Sequence, residues 1–344
     1  MRILHAIRSD AFAGVESHVA RLARAQLAAG DEVVVVGGDP DRMKTASGQG
    51  VRTLPAATVT DVLTTVRRWA ARADVVHAHM TAAEIACATA LVGVGTPLVV
   101  TRHFARDRGS NPVSAAAAAG AARRVDAQIA ISHYVAETID GASVVIHPGV
   151  DSTTTSRASC DRDPVVLVAQ RLEPEKDTDV ALRAFAGSGL GSQGWRLDVA
   201  GDGAERPALT ALAEQLGIAD ATRFLGHRRD VPDLMDRAGL LLAPCRIEGL
   251  GLTVLEAMAA ALPVVAVGAG GHLETVGAVE GAALHPPGDA ARAGALLAAL
   301  AADRERRDAY AAALQVVQRA LFTPAHQAQE TANVYREVVR WTSS

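Results

Sequence analysis

Aromatic side chains are scarce: five Phe, three Tyr and three Trp make up 3% of the 344 residues. A core so poor in rings must be filled by small aliphatic side chains, which suits helices packed on buried parallel strands. Charge of one sign is missing too. The net charge is −4, which gives no global basic field to attract nucleic acid. The three cysteines, Cys87, Cys160 and Cys245, are far apart and form no C-x-x-C pair. That excludes a disulfide framework or a cysteine zinc site and points to a reducing, cytoplasmic setting. No apolar run reaches ~18 uninterrupted residues, so a membrane-spanning helix is not expected. The first residues read as a strand, "RILHAI", rather than a secretory leader. G-x-x-x-x-G-K-[ST], G-x-S-x-G and H-E-x-x-H are all absent, removing the usual kinase-like, hydrolase and zincin readings. Nothing bears on oligomeric state.

What the chain does contain is a regular alternation. In the first half, "RILHAI", "EVVVVG", "DVVHAH", "PLVVT", "AQIAIS" and "SVVIH" read as strands between amphipathic stretches such as Val15–Ala29, Val59–Ala71 and Ala82–Val92. The pattern restarts with "PVVLVAQ", "RLDVAG", "TRFLG", "LLLAP" and "PVVAVG". Continuous apolar strands alternating with helices imply an α/β protein of two doubly wound parallel-sheet domains. The expected limits are 1–151 for the first domain, 152–163 for a small, polar linker and 164–323 for the second. A closing helix over 324–342 is expected to pack back on the first. Ligands of such sheets bind beyond the carboxyl ends of the strands, so two sheets facing a common cleft would place chemistry there.

One stretch after such a strand stands out, "RIEGLGLTVLEAM" from Arg246 to Met258. Gly249 and Gly251 let backbone approach a ligand closely. A helix starting near Gly251 or Leu252 would aim free N–H groups of Leu252 and Thr253, and its positive dipole end, at a diphosphate. Glu256 lies roughly 6–8 Å along that helix, in reach of ribose hydroxyls, and Glu248 precedes it, able to hold a second polyol. The plainer alternative is a tight turn into a helix. "RLEPEK" places Arg171 and Lys176 at another strand end, suited to meeting the charge of a departing diphosphate, or simply a solvated basic loop. "VAGDG" puts Gly201 between strand and helix but lacks the dinucleotide fingerprint, since Arg206 stands in place of its third glycine.

In this order, "RLEPEK", "VAGDG", "FLGH" and the E-x7-E motif "EGLGLTVLE" resemble the retaining glycosyltransferases of family 4, whose two-domain architecture is called GT-B. "HPGVD", "GGHLE" and "PPGD" also match. The resemblance implies that Arg171 and Lys176 hold the donor diphosphate, with Gly249, Leu250, Gly251, Leu252 and Thr253 forming the surrounding loop. Glu248 would contact the transferred sugar, Glu256 the ribose and Arg228 the nucleobase. Gly14 in "AFAGVE" matches the family's glycine loop, although Ala13 replaces its first glycine. The donor would be a UDP-sugar, or next a GDP-sugar. It serves as co-substrate, so no resident cofactor and no metal are expected. The acceptor would be a small molecule or glycan.

Among histidines, His77 and His79 alternate on one strand, and the family shows a similar pair near its acceptor side. His103 follows "PLVVT" and would touch the transferred sugar or position the acceptor; a structural histidine is the other reading. Asp39-Pro40-Asp41 is read as a plain turn, despite its D-x-D pattern. Arg102, Arg106 and Arg108 form a basic loop that either greets an anionic acceptor or is merely solvated. The implied reaction is retaining sugar transfer. A sugar-nucleotide epimerase, a non-catalytic nucleotide-sugar sensor and, more weakly, a nicotinamide-dependent dehydrogenase stay open.

Overall fold

The computed structural model describes residues 1–109, 112–153 and 157–342. They form two units, residues 1–150 with 322–344, and residues 151–321.

The first unit holds a seven-stranded sheet of β1 (Arg2–Ile7), β2 (Glu32–Val36), β3 (Arg52–Leu54), β4 (Val75–His79), β5 (Leu98–Arg102), β6 (Ala127–Ala130) and β7 (Val144–Val145). Its order is β3-β2-β1-β4-β5-β6-β7, with every pairing parallel. The second holds β8 (Asp163–Ala169), β9 (Arg196–Ala200), β10 (Thr222–Gly226), β11 (Ala238–Ala243), β12 (Val264–Val267) and β13 (Leu284–His285). These lie parallel in the order β10-β9-β8-β11-β12-β13. Both are doubly wound α/β folds, as the alternating pattern implies. Two edge strands, β3 and β13, escape a pattern-based reading, because RTL and LH hold no run of aliphatic residues.

Helices α1 (Gly14–Ala28), α2 (Pro40–Ser47), α3 (Val59–Trp69), α4 (Thr81–Ala90), α5 (Pro112–Ala122) and α6 (His133–Thr138) belong to the first unit. The second carries α7 (Thr178–Ser188), α8 (Arg206–Gln215), α9 (Val231–Arg237), α10 (Leu252–Ala259), α11 (Ala290–Ala302) and α12 (Arg304–Leu321). The last helix, α13 (Pro324–Thr342), returns to the first unit. There Val334, Tyr335 and Val338 join Ile3, Ile7, Val19, Val33 and Val99 in one core layer. The opposite face of that sheet is covered through Val62, Val66, Ala83 and Ala86 of α3 and α4. Burial of each such Val or Leu stabilises by ~1.5–3 kcal/mol before entropy is counted, which explains why small aliphatics suffice.

Two local readings change. Asp39 does not sit in a plain turn: its carboxylate accepts from Arg42 N–H at 2.9 Å and caps α2, with Pro40 at the first helical position. The stretch read as a linker is anchored over its second half; residues 154–156 of it lie outside the described residues. Ser159 N–H donates to Asp308 at 2.9 Å. Arg162 is buried, and its guanidinium donates to the carbonyls of Arg157, Met235, Asp236, Ala238, Ala260 and Ala261 at 2.8–3.1 Å. Polar composition concealed an internal clamp.

Candidate active site

In the second sheet the strand order reverses between β8 and β11, and the loops after these two strands flank the switch point. Topology therefore brings together "RLEPEK" and "PCRIEGLG", segments about 70 positions apart. Side chains lock them. Asp177 accepts from Arg246 Nη1 at 2.6 Å and from its backbone N–H at 3.3 Å. Gln170 Nε2 donates to the Lys176 carbonyl and to Thr178 Oγ1, both at 2.9 Å. Cys245 Sγ donates to the Glu175 carbonyl at 3.4 Å.

Across this seam Lys176 Nζ donates to Glu248 Oε2 at 2.7 Å, both side chains half-buried. Burial opposes the Lys176 ammonium, yet Glu248 beside it wins, and the pKa stands above the ordinary lysine value. Glu248 mirrors this. Burial alone would raise its carboxyl, while Lys176 holds it below the usual range. Each keeps the other charged at neutral pH. Arg171 sits differently, exposed on the same loop with Nη2 3.2 Å from Glu175.

Next to the pair, α10 begins. Its first backbone bond runs from Leu255 N–H to the Gly251 carbonyl at 3.0 Å. The amides of Leu252 and Thr253 come before that bond and have no acceptor within the helix. Gly251 caps the helix at φ +92°, where a Cβ would also lie 3.1 Å from the His272 ring. Beneath the loop runs the short turn Gly270–Leu273. Gly271 N–H donates to the Glu248 carbonyl at 2.9 Å, and a Cβ on Gly271 would fall 2.3 Å from Leu250 Cα. The glycine pair of "GGHLE" is thus what lets the Glu248 loop seat. Burial lowers His272 to about 4, so the ring is neutral, and its Nδ1 has no hydrogen-bond partner.

The remaining positions of the second unit fall at strand ends. Leu250 is buried, Gly249 lies between it and Glu248, and Glu256 is on the second turn of α10. Gly201 follows β9, its N–H bonded to the Gly226 carbonyl at 2.8 Å. Arg228, just beyond β10, is exposed and chelated by Asp230 at 2.8 and 2.5 Å.

In the first unit, Gly14 opens α1, where the Glu16 carboxylate already accepts from Ala13 N–H at 2.9 Å. His103 follows β5 and is buried with four other histidines, His5, His18, His77 and His79. Alternation on β1, β4 and β5 puts His5, His77, His79, Thr101 and His103 on one sheet face. His5 Nδ1 lies 3.0 Å from His79 Nε2, and His79 Nδ1 lies 3.1 Å from His103 Nε2. Burial holds the rings neutral, with His5 down at about 4 and His103 at about 3. Two trios, His5/His77/His79 and His18/His79/His103, bring ligand-type nitrogens within 4.8 Å of one another. Of these rings, His5 bonds to His79 and His79 to His103, whereas His77 bonds to Tyr335 and Thr101 and His18 to Gln327. Beside them Met80 takes φ 72°, ψ 151°, a strained conformation for a side-chain-bearing residue at the end of β4.

The basic loop is not a free docking surface. Arg102 is buried and donates to Asp140 Oδ1 at 2.9 Å and to the Arg106 carbonyl at 2.8 Å. Arg108 is paired to buried Glu84 at 2.8 Å, to Gln128 at 2.5 Å and to Asp140. Arg106 stacks on Phe104 with its guanidinium 5.0 Å from the ring centre. Ser110 and Asn111 of this loop lie outside the described residues.

Sequence reasoning missed Gln170, Asp177, Arg246 and His272, which support the site. It also missed His18, which packs against His103, and His5, Gln26 and Tyr335, which bond to one another and to His77 and His79 behind it. Only the pairing of distant strands and the packing of α1 and α13 on the sheet reveal them; the signal in the sequence was the alternating His77/His79 pair.

Two family models match: "Glycosyl transferases group 1" over residues 154–315 and "Glycosyltransferase Family 4" over residues 12–154. Relatives include 2-deoxystreptamine glucosyltransferase of Streptomyces kanamyceticus, 28% identical over 69% of this chain and 70% of that protein. The 2-deoxystreptamine N-acetyl-D-glucosaminyltransferase of Streptomyces fradiae is 31% identical over 69% of this chain and 64% of its own length. For D-inositol 3-phosphate glycosyltransferase of Streptomyces avermitilis, 31% identical, the match spans 58% of this chain and about half (51%) of the relative. Among solved structures, Anabaena HepE in complex with UDP and glucose shares the fold at TM-score 0.80 and 21% identity, covering 98% of this chain and 100% of that one. Sucrose-phosphate synthase of Thermosynechococcus elongatus does so at TM-score 0.79 and 18% identity, with 100% of both chains covered. The chain is a glycosyltransferase of the family-4 type, built on the GT-B fold.

Proposed function

We propose that the protein moves a sugar from a nucleoside diphosphate sugar, UDP-linked first and GDP-linked next, to an acceptor hydroxyl with retention of anomeric configuration. The observation that carries this reading is the Lys176–Glu248 pair at the switch point, beside the open amides of α10. Phosphate oxygens accept from the N–H groups of Leu252 and Thr253, favoured by the helix dipole. Lys176 and Arg171 meet the charge that grows as the anomeric C–O bond to the diphosphate breaks. Glu248, kept ionised by Lys176, accepts from hydroxyls of the transferred sugar. Glu256 takes the ribose and Arg228 lies against the nucleobase.

The acceptor oxygen attacks from the face the diphosphate leaves, and its proton passes to a leaving phosphate oxygen. Charge and atoms balance without a protein nucleophile and without a metal. Catalysis then consists of placement and charge stabilisation. HepE was solved with UDP, which supports uridine as the first base to test. Three relatives are named for deoxystreptamine or inositol phosphate acceptors, so cyclitols are the first acceptors to offer. A donor of this kind and three free cysteines fit a cytoplasmic setting. Among the described residues no helix is long and apolar enough to cross a membrane.

A thermal-shift panel of nucleoside diphosphates tests the donor, because a ligand of the folded state raises the melting temperature. One diphosphate should stand out. Incubation of its glucosyl ester with a cyclitol, followed by NMR of the product's anomeric proton, tests transfer and stereochemistry. No shift with any diphosphate would remove the reading, and donor isomerised without acceptor would replace it with epimerisation.

A further inference from the structure

We propose that Gln26, His5 and His79 form a positioning chain that holds the outer nitrogen of His103, Nδ1, as a hydrogen-bond acceptor for a sugar hydroxyl. The proposal deepens the reading above and rests on it for the sugar, though not for the proton arrangement. His103 is the most exposed of the five clustered rings, at 8%, and the other four are at 3% or less.

His5, His79 and His103 are neutral and carry three protons on six nitrogens. Three junctions join them: Gln26 Oε1 to His5 Nε2 at 2.7 Å, His5 to His79 at 3.0 Å, and His79 to His103 at 3.1 Å. Each junction holds one proton and no more. With an amide oxygen at the first junction, all three protons lie inside the junctions, on Nε2 of His5, His79 and His103. His103 Nδ1 is then bare and accepts. Were the Gln26 amide reversed, its own N–H would fill the first junction. Every ring proton would move one place along, and the last would emerge on His103 Nδ1, making it a donor. Two residues at opposite ends of the chain thus hold a single choice between them.

The other end of Gln26 meets the Tyr335 hydroxyl at 3.4 Å, which can donate or accept, so the choice falls to the rings themselves. With the amide nitrogen on that side, the hydroxyl would donate to His77 Nδ1, 2.6 Å away, and His77 Nε2 to Thr101 Oγ1, 2.7 Å away. In this arrangement all four rings carry the proton on Nε2, the form an imidazole side chain favours when free, whereas the reversed arrangement would place all four on Nδ1. His18 provides an internal contrast. Gln327 Oε1 accepts from Gly149 N–H at 2.9 Å, so its amide nitrogen must donate to His18 Nε2, 3.2 Å away. The His18 proton is therefore on Nδ1, with the ring edge-on to His103 at 4.8 Å between centres.

NMR of the full chain labelled with 15N-histidine reads this directly, because bare and protonated ring nitrogens resonate far apart. Expected are Nε2–H for His5, His77, His79 and His103, and Nδ1–H for His18. Finding His103 protonated on Nδ1 overturns the proposal, as does a stoichiometric transition metal in the purified protein, which would make these nitrogens ligands. In turnover with the donor identified above, Gln26→Leu should lower kcat about tenfold and leave the donor KM within about twofold. Gln26→Glu, which keeps an oxygen at the first junction, should restore most of that loss. Wild-type kcat in Gln26→Leu would show that Gln26 does not set the state of His103. If His103→Ala itself turns over normally, the sugar contact fails, while the NMR pattern still decides the chain on its own.

Discussion

Acidification should unfold the first unit before the second. Five histidines are buried there as neutral rings, and for each the dominant cause is removal from water. The sign follows from linkage. Below the ordinary imidazole value of 6.5 the unfolded chain takes up protons that the folded unit refuses, so the contribution is full above that pH and lost as pH falls towards about 4, where His5 titrates. One pH unit below the unfolded value, at pH 5.5, each ring that stays neutral costs ~1.4 kcal/mol of stability. Five together reach ~7 kcal/mol as an upper bound, against a total of ~5–15 kcal/mol for a typical domain. The second unit has two such rings, His272 and His285. Most carboxylates remain ionised down to this pH, so the window from 6.5 to 5.5 isolates histidine. Urea titrations at pH 7.5 and 5.5 would measure the loss. Hydrogen exchange would locate it, with amides of β1, β4 and β5 losing protection ahead of those in β8, β9 and β11. Equal midpoints at the two pH values, or β8 and β11 opening first, would show that the rings titrate within the fold and that the burial argument is wrong.

Lys176→Ala should lower turnover by two or three orders of magnitude, since loss of one such preorganised group costs ~3–4 kcal/mol of barrier. Steady-state kinetics with Lys176→Arg as the comparison would check it, and a loss confined to KM would contradict the role. Gly251→Ala places a Cβ at φ +92° and 3.1 Å from the His272 ring. Both the melting temperature and the affinity for the nucleoside diphosphate should fall, read by calorimetry, and an unchanged diphosphate affinity would separate this turn from the donor site. Arg162→Ala removes donors from six carbonyls in the second unit and should destabilise by ~3 kcal/mol or more. Arg162→Lys should recover little, because a single ammonium has three donors and no fork. Urea unfolding of both variants decides between a clamp and a merely buried side chain.

What could be read in advance was whatever the chain states locally. Uninterrupted runs such as "EVVVV" and "PVVLVAQ" announce buried parallel strands, because each residue along them faces a covered side. The start of α10 at Leu252 was legible from the two glycines and from the return of helical spacing after Pro244. Strands β3 and β13 were not, since their segments RTL and LH hold no run of aliphatic residues, whereas the equally short β7 lies in "SVVIH". The same distinction separates the parts of the site. Glu248, Lys176 and Arg171 stood out as charges after strands, where apolar neighbours made them conspicuous. The ion pair that joins two of them depends on β8 lying next to β11, a fact of strand order that no local window contains. Arg162 shows how far that limit reaches. In sequence it belongs to a polar stretch of Ser, Thr and Asp, the signature of exposed chain, and composition gives no reason to bury it. Only after α9, β11 and α10 are in place do five distant carbonyls converge with that of Arg157 where a guanidinium fits. The histidines carry the point furthest, since His5 and His79 are 74 positions apart and bond only because β1 and β4 adjoin. Residues whose chemistry is set by their own segment can be found from sequence, and those whose chemistry is set by a partner strand must wait for the sheet.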